Sequence, residues 1–140
     1  VLNFPFGKFF LGDSGSYLYA FLSGSTIIML FERNAEAPTL LALLVLAYPV
    51  TEIVFSIIRK SLKKFSPMAP DNLHIHQLIY NKLNGNKKFR NNLAALIMAF
   101  FWLSPLLLVI LSVQMNFRII LLYLSYFSFY LISYYGLNKK

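Results

Sequence analysis

Hydrophobic residues in this chain fall into four long blocks separated by polar segments. Each block is close to the roughly 20 apolar residues that an α-helix needs to cross about 30 Å of hydrocarbon. The pattern predicts an all-α integral membrane protein with four transmembrane helices in a single domain, residues 1–140. The predicted spans are residues 16–31, 39–58, 93–113 and 117–135, of which the first is the shortest.

The polar segments between these blocks differ in length and charge. Residues 32–38 and 114–116 are tight turns, whereas residues 59–92 are predicted to form one long polar loop. Eleven of the basic residues lie in this loop or near the two chain ends, which the four spans place on the same side of the bilayer. Only Arg33 and Arg118 lie on the other side. Because basic segments stay on the cytoplasmic side, the long loop and both termini are predicted to be cytoplasmic.

The composition supports membrane insertion. The chain is 58% apolar and 13% charged, against roughly 25% charged residues in soluble domains. The absence of cysteine excludes a thiolate nucleophile and a cysteine-based zinc site. The net charge of +8 is distributed over segments between spans, so we expect membrane lipids and no nucleic acid as partners.

Aromatic residues are frequent in the last hydrophobic block. Tyr134 and Tyr135 lie near its end, where aromatic rings favour the lipid headgroup layer. Both are predicted to be interfacial anchors. The rest of the aromatic run 123–135 is predicted to face lipid or to pack against other spans.

The first group of residues with chemical potential is the small-residue turn 10–16, at the cytoplasmic mouth of the first span. Its two glycines let a ligand approach the backbone closely, and amides at a helix N-terminus suit an anion. Asp13 adds a hard oxygen ligand of the kind that Mg²⁺ takes together with substrate phosphates. The turn therefore suits a magnesium-bound diphosphate. Alternatively, Asp13, Ser14 or Ser16 merely caps the helix.

The second group is the histidine pair of the long loop. His74 and His76 are two residues apart, so they share a face only where the backbone is extended or irregular. Imidazole suits hydrogen bonding to a phosphate or a nucleobase, whereas zinc normally takes three or four protein ligands. A solvated pair without function is the alternative. Asp71 is expected to cap a helix beginning near Asn72.

The third feature is Glu52, which lies inside the second predicted span. An ionisable group at the bilayer centre costs about 2.5 to 3.5 kcal/mol on insertion scales, so it is interpreted as a functional intramembrane acid. We expect it to face protein or a polar cavity rather than lipid. Arg59, seven residues later on the same helical face, is a candidate partner. The alternative is a structural carboxylate near a water-filled mouth.

In this order, the three features resemble the polyprenyl-phosphate N-acetylhexosamine-1-phosphate transferase family. Residues 3–16 resemble its segment ending in Gly-Asp-Ser/Thr-Gly-Ser, residues 49–59 its Pro-x-x-Asp span, and residues 70–76 its histidine loop. Two positions depart from the family: Glu52 replaces the usual Asp, and Gln77 replaces a third histidine of the closest subgroup. The family's upstream acidic motifs do not occur in the 140 residues, so we expect the chain to be the C-terminal portion of the enzyme.

The resemblance implies transfer of a sugar 1-phosphate from a UDP-sugar to undecaprenyl phosphate, with release of UMP, to initiate cell-envelope polysaccharide synthesis at the bacterial inner membrane. It implies Mg²⁺ or Mn²⁺ as cofactor and leaves a homodimer open. This segment alone is expected to insert without turning over substrate. The implied catalytic residues are Asp13, which is also the metal ligand, His74 and His76; the implied substrate-binding residues are Phe10, Gly12, Ser14, Gly15 and Asp71.

A four-helix membrane protein without enzymatic activity is the alternative function, either a transporter subunit or an assembly factor. It requires Glu52 to face a transport pathway, and it leaves Asp13 and the histidine pair unexplained.

Overall fold

The structure is a computed structural model that describes residues 5, 12–66, 72–112 and 119–139. Within these ranges all regular secondary structure is helical, which confirms the predicted all-α class. The helices are α1 (Gly12–Arg33), α2 (Leu41–Val45), α3 (Ala47–Leu62), α4 (Ile75–Lys82), α5 (Lys87–Ser112) and α6 (Ile119–Asn138).

Three helices, α1, α5 and α6, are long and apolar enough to cross a membrane. They correspond to the first, third and fourth predicted spans, although α5 begins at Lys87 rather than at residue 93. None of the residues of α1 is buried. Near its end, Phe31 packs against a small cluster formed by Leu41, Leu44 and Ile119.

The second predicted span, residues 39–58, is not one helix. The chain turns at Leu46, with φ −96° and ψ 16°, between α2 and α3. Pro49 accounts for the break, because in a continuous helix its ring would clash with the carbonyl of Val45. A new helix starting at Ala47 places Pro49 in the first turn, where an N–H group would have no intrahelical partner.

The segment 59–92, predicted to be one loop, is largely folded. Arg59 lies inside α3 and is 9% exposed, α4 occupies the middle of the segment, and α5 has already begun at its end. The possible cap at Asp71 predicts a helix in this segment, but that prediction did not use the apolar spacing of Ile75, Leu78 and Ile79, which places these three residues on one helical face. That face of α4 is buried in the main core.

The α4–α5 turn is closed by an arginine and a tyrosine. The Arg90 guanidinium lies 4.1 Å from the centroid of the Tyr80 ring, and its Nη2 donates to the Tyr80 carbonyl at 2.8 Å. Gly85 has φ +121° in this turn, where a Cβ would meet the Phe89 ring at 3.0 Å. The turn therefore requires glycine, and it sets the direction in which α4 lies against α5.

The main core lies where α3, α4, α5 and α6 meet. The outward face of α3 is apolar, with Ile53 60% exposed, while its inward face carries the buried polar residues Thr51, Ser56 and Arg59. This polarity is the reverse of that in a water-soluble protein. The buried core residues are Ala47, Tyr48, Phe55, Ile75, Leu78, Ile79, Ala94, Phe101, Tyr126, Tyr130 and Tyr134.

Helix α5 remains helical through Pro105, which is buried. Proline has no N–H, so the Phe101 carbonyl lacks its usual intrahelical donor. The Tyr126 hydroxyl of α6 donates to this carbonyl at 3.0 Å. Helix α6 therefore supplies the hydrogen bond that the α5 sequence removes.

Candidate functional site

Glu52 is held at the junction of α3, α4 and α6. Its Oε1 lies 2.8 Å from His74 Nδ1 and accepts from the Ile75 amide at 3.4 Å, while the Tyr130 hydroxyl donates to Oε2 at 2.7 Å. Its side chain is 13% exposed. The prediction that Glu52 faces protein rather than lipid is therefore confirmed.

Arg59 binds the same segment from further along α3. Its Nη1 donates to the Leu73 carbonyl at 2.6 Å and to the Tyr134 hydroxyl, and its Nη2 donates to Ser56 at 3.4 Å. Tyr134 is 2% exposed. Its prediction as a headgroup anchor is wrong, because its hydroxyl is used to hold a buried guanidinium; Tyr135, by contrast, is exposed.

The histidine segment 73–75 is therefore fixed by α3 from two sides. His74 has extended backbone angles, φ −72° and ψ 146°, and is the N-cap of α4. Its amide donates to Gln77 Oε1 at 3.4 Å, as in one half of a capping box. Gln77 thus has a structural use at the position where the family subgroup has a third histidine.

The expected start of this helix near Asn72 is wrong, since α4 begins at Ile75. The extended residue His74 is the N-cap, and the Ile75 amide at the start of α4 donates to the Glu52 carboxylate of α3 at 3.4 Å. Asp71, the residue predicted to cap it, lies outside the described residues.

The two histidine rings lie parallel, with centroids 5.8 Å apart and an interplanar angle of 10°. The extended backbone at His74 meets the condition under which both rings can act on one ligand. The pKa of His76 is lowered from 6.5, first by desolvation and then by the neighbouring His74 ring, while Glu52 acts in the opposite direction. At pH 7 His76 is therefore a neutral group with one donor and one acceptor.

A cavity of about 490 Å³ lies beside His76, between α4 and α5. Apart from His76, its lining side chains are uncharged. Amide groups and a tyrosine provide donors and acceptors, and three apolar residues form the rest of the wall. Such a lining suits a neutral polar group, such as sugar hydroxyls, an acetamido group or a nucleobase. The lining residues are Asn72, His76, Gln77, Tyr80, Asn81, Asn91, Ala94, Ala95 and Met98.

The small-residue turn lies at the start of α1. Gly12 has φ +64°, a conformation that favours glycine, and Ser16 Oγ donates back to the Gly12 carbonyl at 2.8 Å. Asp13 and Ser14 are exposed in the first helical turn, next to the partly exposed Gly15. A carboxylate in this turn also interacts favourably with the helix dipole, which is a structural use of Asp13 that requires no ligand. Phe10 lies outside the described residues.

The structure brings Glu52, His74 and His76 together, and Asp13 is not among the described residues that line the cavity beside them. Across the described ranges, no group of three or more His, Cys, Asp or Glu side chains could hold a metal ion. Asp13 fits Mg²⁺ as a single carboxylate ligand, since that ion is usually bound by one or two carboxylates, substrate phosphates and water. The convergence of Asp13 with the histidine pair stays a prediction.

Sequence reasoning missed the tyrosines of α6 that complete the site. Tyr130 binds Glu52, Tyr134 binds Arg59, and the Tyr123 hydroxyl lies 3.2 Å from Thr51 Oγ1. Together with Tyr126 they recur at intervals of three and four residues, which places them on one helical face. This spacing was the available signal for a stripe of tyrosines, three of which bind polar side chains of α3 while Tyr126 binds α5.

Proteins named undecaprenyl-phosphate α-N-acetylglucosaminyl 1-phosphate transferase are among the relatives that comparison with known proteins finds. The protein of Thermotoga maritima is 39% identical over 82 residues, which cover 58% of this chain and 26% of that protein. Those of Haemophilus influenzae and Escherichia coli K12 are 37% identical over 83 residues and 35% identical over 77 residues, covering 23% and 20% of their lengths.

The matched part thus spans about a quarter or less of each relative. No protein-family model matches the chain, and no solved structure matches it. The resemblance predicted from the motifs is confirmed: over more than half of its length, this chain is similar to undecaprenyl-phosphate α-N-acetylglucosaminyl 1-phosphate transferases.

Proposed function

We propose that this chain is part of a membrane transferase that passes a sugar 1-phosphate from a UDP-sugar to undecaprenyl phosphate and releases UMP. The observation that carries the proposal is the pair of parallel histidines, of which His74 is bound by Glu52 of α3 and His76 lines a cavity of uncharged side chains. The names of the similar proteins supply the acceptor and the N-acetylglucosaminyl 1-phosphate group.

The proposed reaction needs positioning more than covalent chemistry by the protein. In the net reaction, an oxygen of the lipid phosphate becomes bonded to the sugar-bearing phosphorus of the donor, and the bond between that phosphorus and the UMP oxygen breaks. Mg²⁺ or Mn²⁺ held by Asp13 would neutralise charge on the donor diphosphate. His74 and His76 hold the donor by hydrogen bonds, and the cavity beside them receives an uncharged part of it.

We also propose that α2 and α3 together form the second predicted span, which completes a set of four. Ile53, Val54, Ile57 and Ile58 all point out of the bundle, as expected of a helix that faces lipid. The polar side chains of α3 face protein, where hydrogen bonds replace water. Basic residues at the end of α3 and around α4 favour a cytoplasmic position for segment 59–92 in the bacterial inner membrane.

The surroundings of Glu52 favour the enzyme over a transporter subunit. A transport pathway would require this carboxylate to be open to a passing ion or solute. Instead, Tyr130 and His74 occupy both of its oxygens, and its side chain is mostly covered. These contacts connect Glu52 to the histidine segment, as expected of a structural residue in a rigid binding site.

Ligand binding tests the proposal on the full-length protein that carries this chain, reconstituted in lipid nanodiscs. We expect UMP and UDP-N-acetylglucosamine to bind in a magnesium-dependent manner, and we expect Asp13→Ala to abolish that binding. Glu32→Ala, at the other, exposed end of the same helix, is the matched control and should bind like the wild type. Absence of nucleotide binding in the folded wild type would remove the proposed function.

A further inference from the structure

Glu52 has different surroundings from the other described carboxylates. Asp13, Glu32 and Glu36 lie at exposed positions, whereas the Glu52 side chain is mostly covered by α4 and α6. Removing a carboxylate from water is costly unless hydrogen bonds replace the lost hydration. The contacts of Glu52 supply those bonds, and one of them comes from a histidine with a proposed role at the donor site.

The chemistry of the contact defines the proton position on His74. An ionised carboxylate only accepts hydrogen bonds, so at 2.8 Å from Glu52 Oε1 the His74 Nδ1 must donate and therefore carries a proton. In a neutral ring, Nε2 is then the acceptor. The carboxylate thus selects one of the two neutral forms of the imidazole.

The position of Glu52 is itself fixed from two other directions. Tyr130 is fully buried, and its hydroxyl donates to Oε2 at 2.7 Å. The Ile75 amide, in the first turn of α4, donates to Oε1 at 3.4 Å. The carboxylate therefore cannot rotate away from His74 without leaving a buried hydroxyl without its acceptor, and the orientation of the ring follows from the packing of α3 against α6.

We propose that Glu52 is a positioning residue, which keeps His74 protonated on Nδ1 so that Nε2 accepts a hydrogen bond from a hydroxyl or N–H group of the sugar-nucleotide donor. Glu52 touches no substrate in this arrangement and acts through His74. The inference rests on the proposed function, because it assigns His74 a contact with the transferase donor. The cavity of uncharged side chains lies beside His76, whose ring stacks on that of His74. A neutral donor group in this cavity would therefore lie next to the histidine pair.

Nitrogen NMR of the full-length protein, labelled with ¹⁵N-histidine in nanodiscs, measures the proton position directly, and His74→Asn assigns the signals. We expect wild-type His74 to show a protonated Nδ1 and an unprotonated Nε2. Glu52→Gln should give a mixture of both neutral forms, because an amide can donate as well as accept. Glu52→Asp should restore the Nδ1-protonated form, and Glu36→Gln, the same change at an exposed site, should leave it unaltered.

Kinetics separate positioning from general loss of structure. Loss of the partner that orients a functional histidine typically costs 10–100-fold in activity. We therefore expect Glu52→Gln to lower kcat/KM for the UDP-sugar by about 10–100-fold, with KM for undecaprenyl phosphate unchanged and partial recovery in Glu52→Asp.

An Nε2-protonated His74 in the wild type, or unchanged NMR signals and kinetics in Glu52→Gln, would overturn the positioning role. Absence of UMP release from the folded wild type would instead overturn the proposed function. The two failures are distinguishable because the NMR comparison requires no turnover.

Discussion

Glu52 and Arg59 lie about two helical turns apart on α3 and bind neighbouring groups of the same short segment, one at the His74 ring and the other at the Leu73 carbonyl. Both charged groups are largely removed from water. Glu52 accepts a hydrogen bond from Tyr130 of α6, and Arg59 donates one to Tyr134 of the same helix. The polar contacts that hold a membrane helix bundle together here also fix the position of the histidines.

Arg59→Lys should loosen the histidine segment, because an ammonium group lacks the planar fork that reaches Leu73, Tyr134 and Ser56 together. Hydrogen bonds to charged groups contribute about 1.5–3 kcal/mol, so amide hydrogen exchange in residues 73–75 should become roughly 10–100-fold faster. Arg33→Lys, at the exposed end of α1, is the control. Unchanged amide exchange of residues 73–75 in Arg59→Lys would contradict the role of Arg59 in holding this segment.

His76 should titrate below its usual pKa of 6.5, because desolvation and the neighbouring His74 ring disfavour its charged form. A group whose pKa is lowered on folding binds its proton more readily in the unfolded state, so its contribution makes stability fall as the pH drops below about 6.5. Histidine ring NMR, assigned with His76→Asn, measures the midpoint. A midpoint at or above 6.5 would contradict this description of the site.

At the scale of whole elements, two prolines determine how the helices are built. Pro49 breaks the second hydrophobic block into two helices, α2 and α3. Pro105 leaves α5 continuous, because Tyr126 of α6 donates to the carbonyl left without a donor. A proline in a membrane helix is tolerated where another group satisfies the freed carbonyl.

Tyr126→Phe should destabilise the bundle by about 1–3 kcal/mol, because it leaves the buried Phe101 carbonyl without its donor. Thermal unfolding in detergent measures the loss, and Tyr135→Phe on the exposed side of the same helix is the control. In a Pro105→Ala background the backbone N–H of residue 105 can donate instead, so the same tyrosine substitution should cost much less. Equal losses of stability in both backgrounds would refute the idea that Tyr126 replaces the hydrogen bond removed by Pro105.

Individual elements show what the sequence could and could not predict. The apolar blocks predicted α1, α5 and α6, since length and composition alone distinguish a spanning helix. They did not predict the break at Leu46, although Pro49 was its visible cause. A helix beginning near Asn72 was expected in the long loop, but its bounds, Ile75–Lys82, were not predicted, because its apolar stripe covers only eight residues.

The candidate site was predicted only in part. The order of motifs singled out Glu52 and the histidine pair, which the structure brings together, because residue type and spacing carry that information. The place of Asp13 in the same site stays a prediction. The partners of Glu52 and Arg59 on α6 are 78 and 75 residues away in sequence, respectively. Such pairings depend on how helices pack, and a single sequence contains only an indirect signal of them, in this case the tyrosine stripe.

At the scale of the whole molecule, the described helices expose many large apolar side chains, as expected of a membrane protein, and a few hydrogen-bonded polar side chains lie within the mainly apolar core. The chain contains no cysteine, so single cysteines can test its orientation in membrane vesicles. With impermeant thiol reagents, Asn84→Cys should react from the cytoplasmic side and Glu36→Cys from the opposite side. Labelling of both positions from one side would contradict the four-span topology.

The most direct test of the central claim is UMP release by the full-length protein in nanodiscs containing undecaprenyl phosphate, UDP-N-acetylglucosamine and Mg²⁺. We predict that UMP appears only when both substrates and the metal ion are present. Asp13→Ala should lower the rate by about 100-fold or more, the scale seen when one stabilising group is removed from a charged transition state, while Glu32→Ala should not. A folded, inserted wild-type protein that releases no UMP would contradict the proposed transferase.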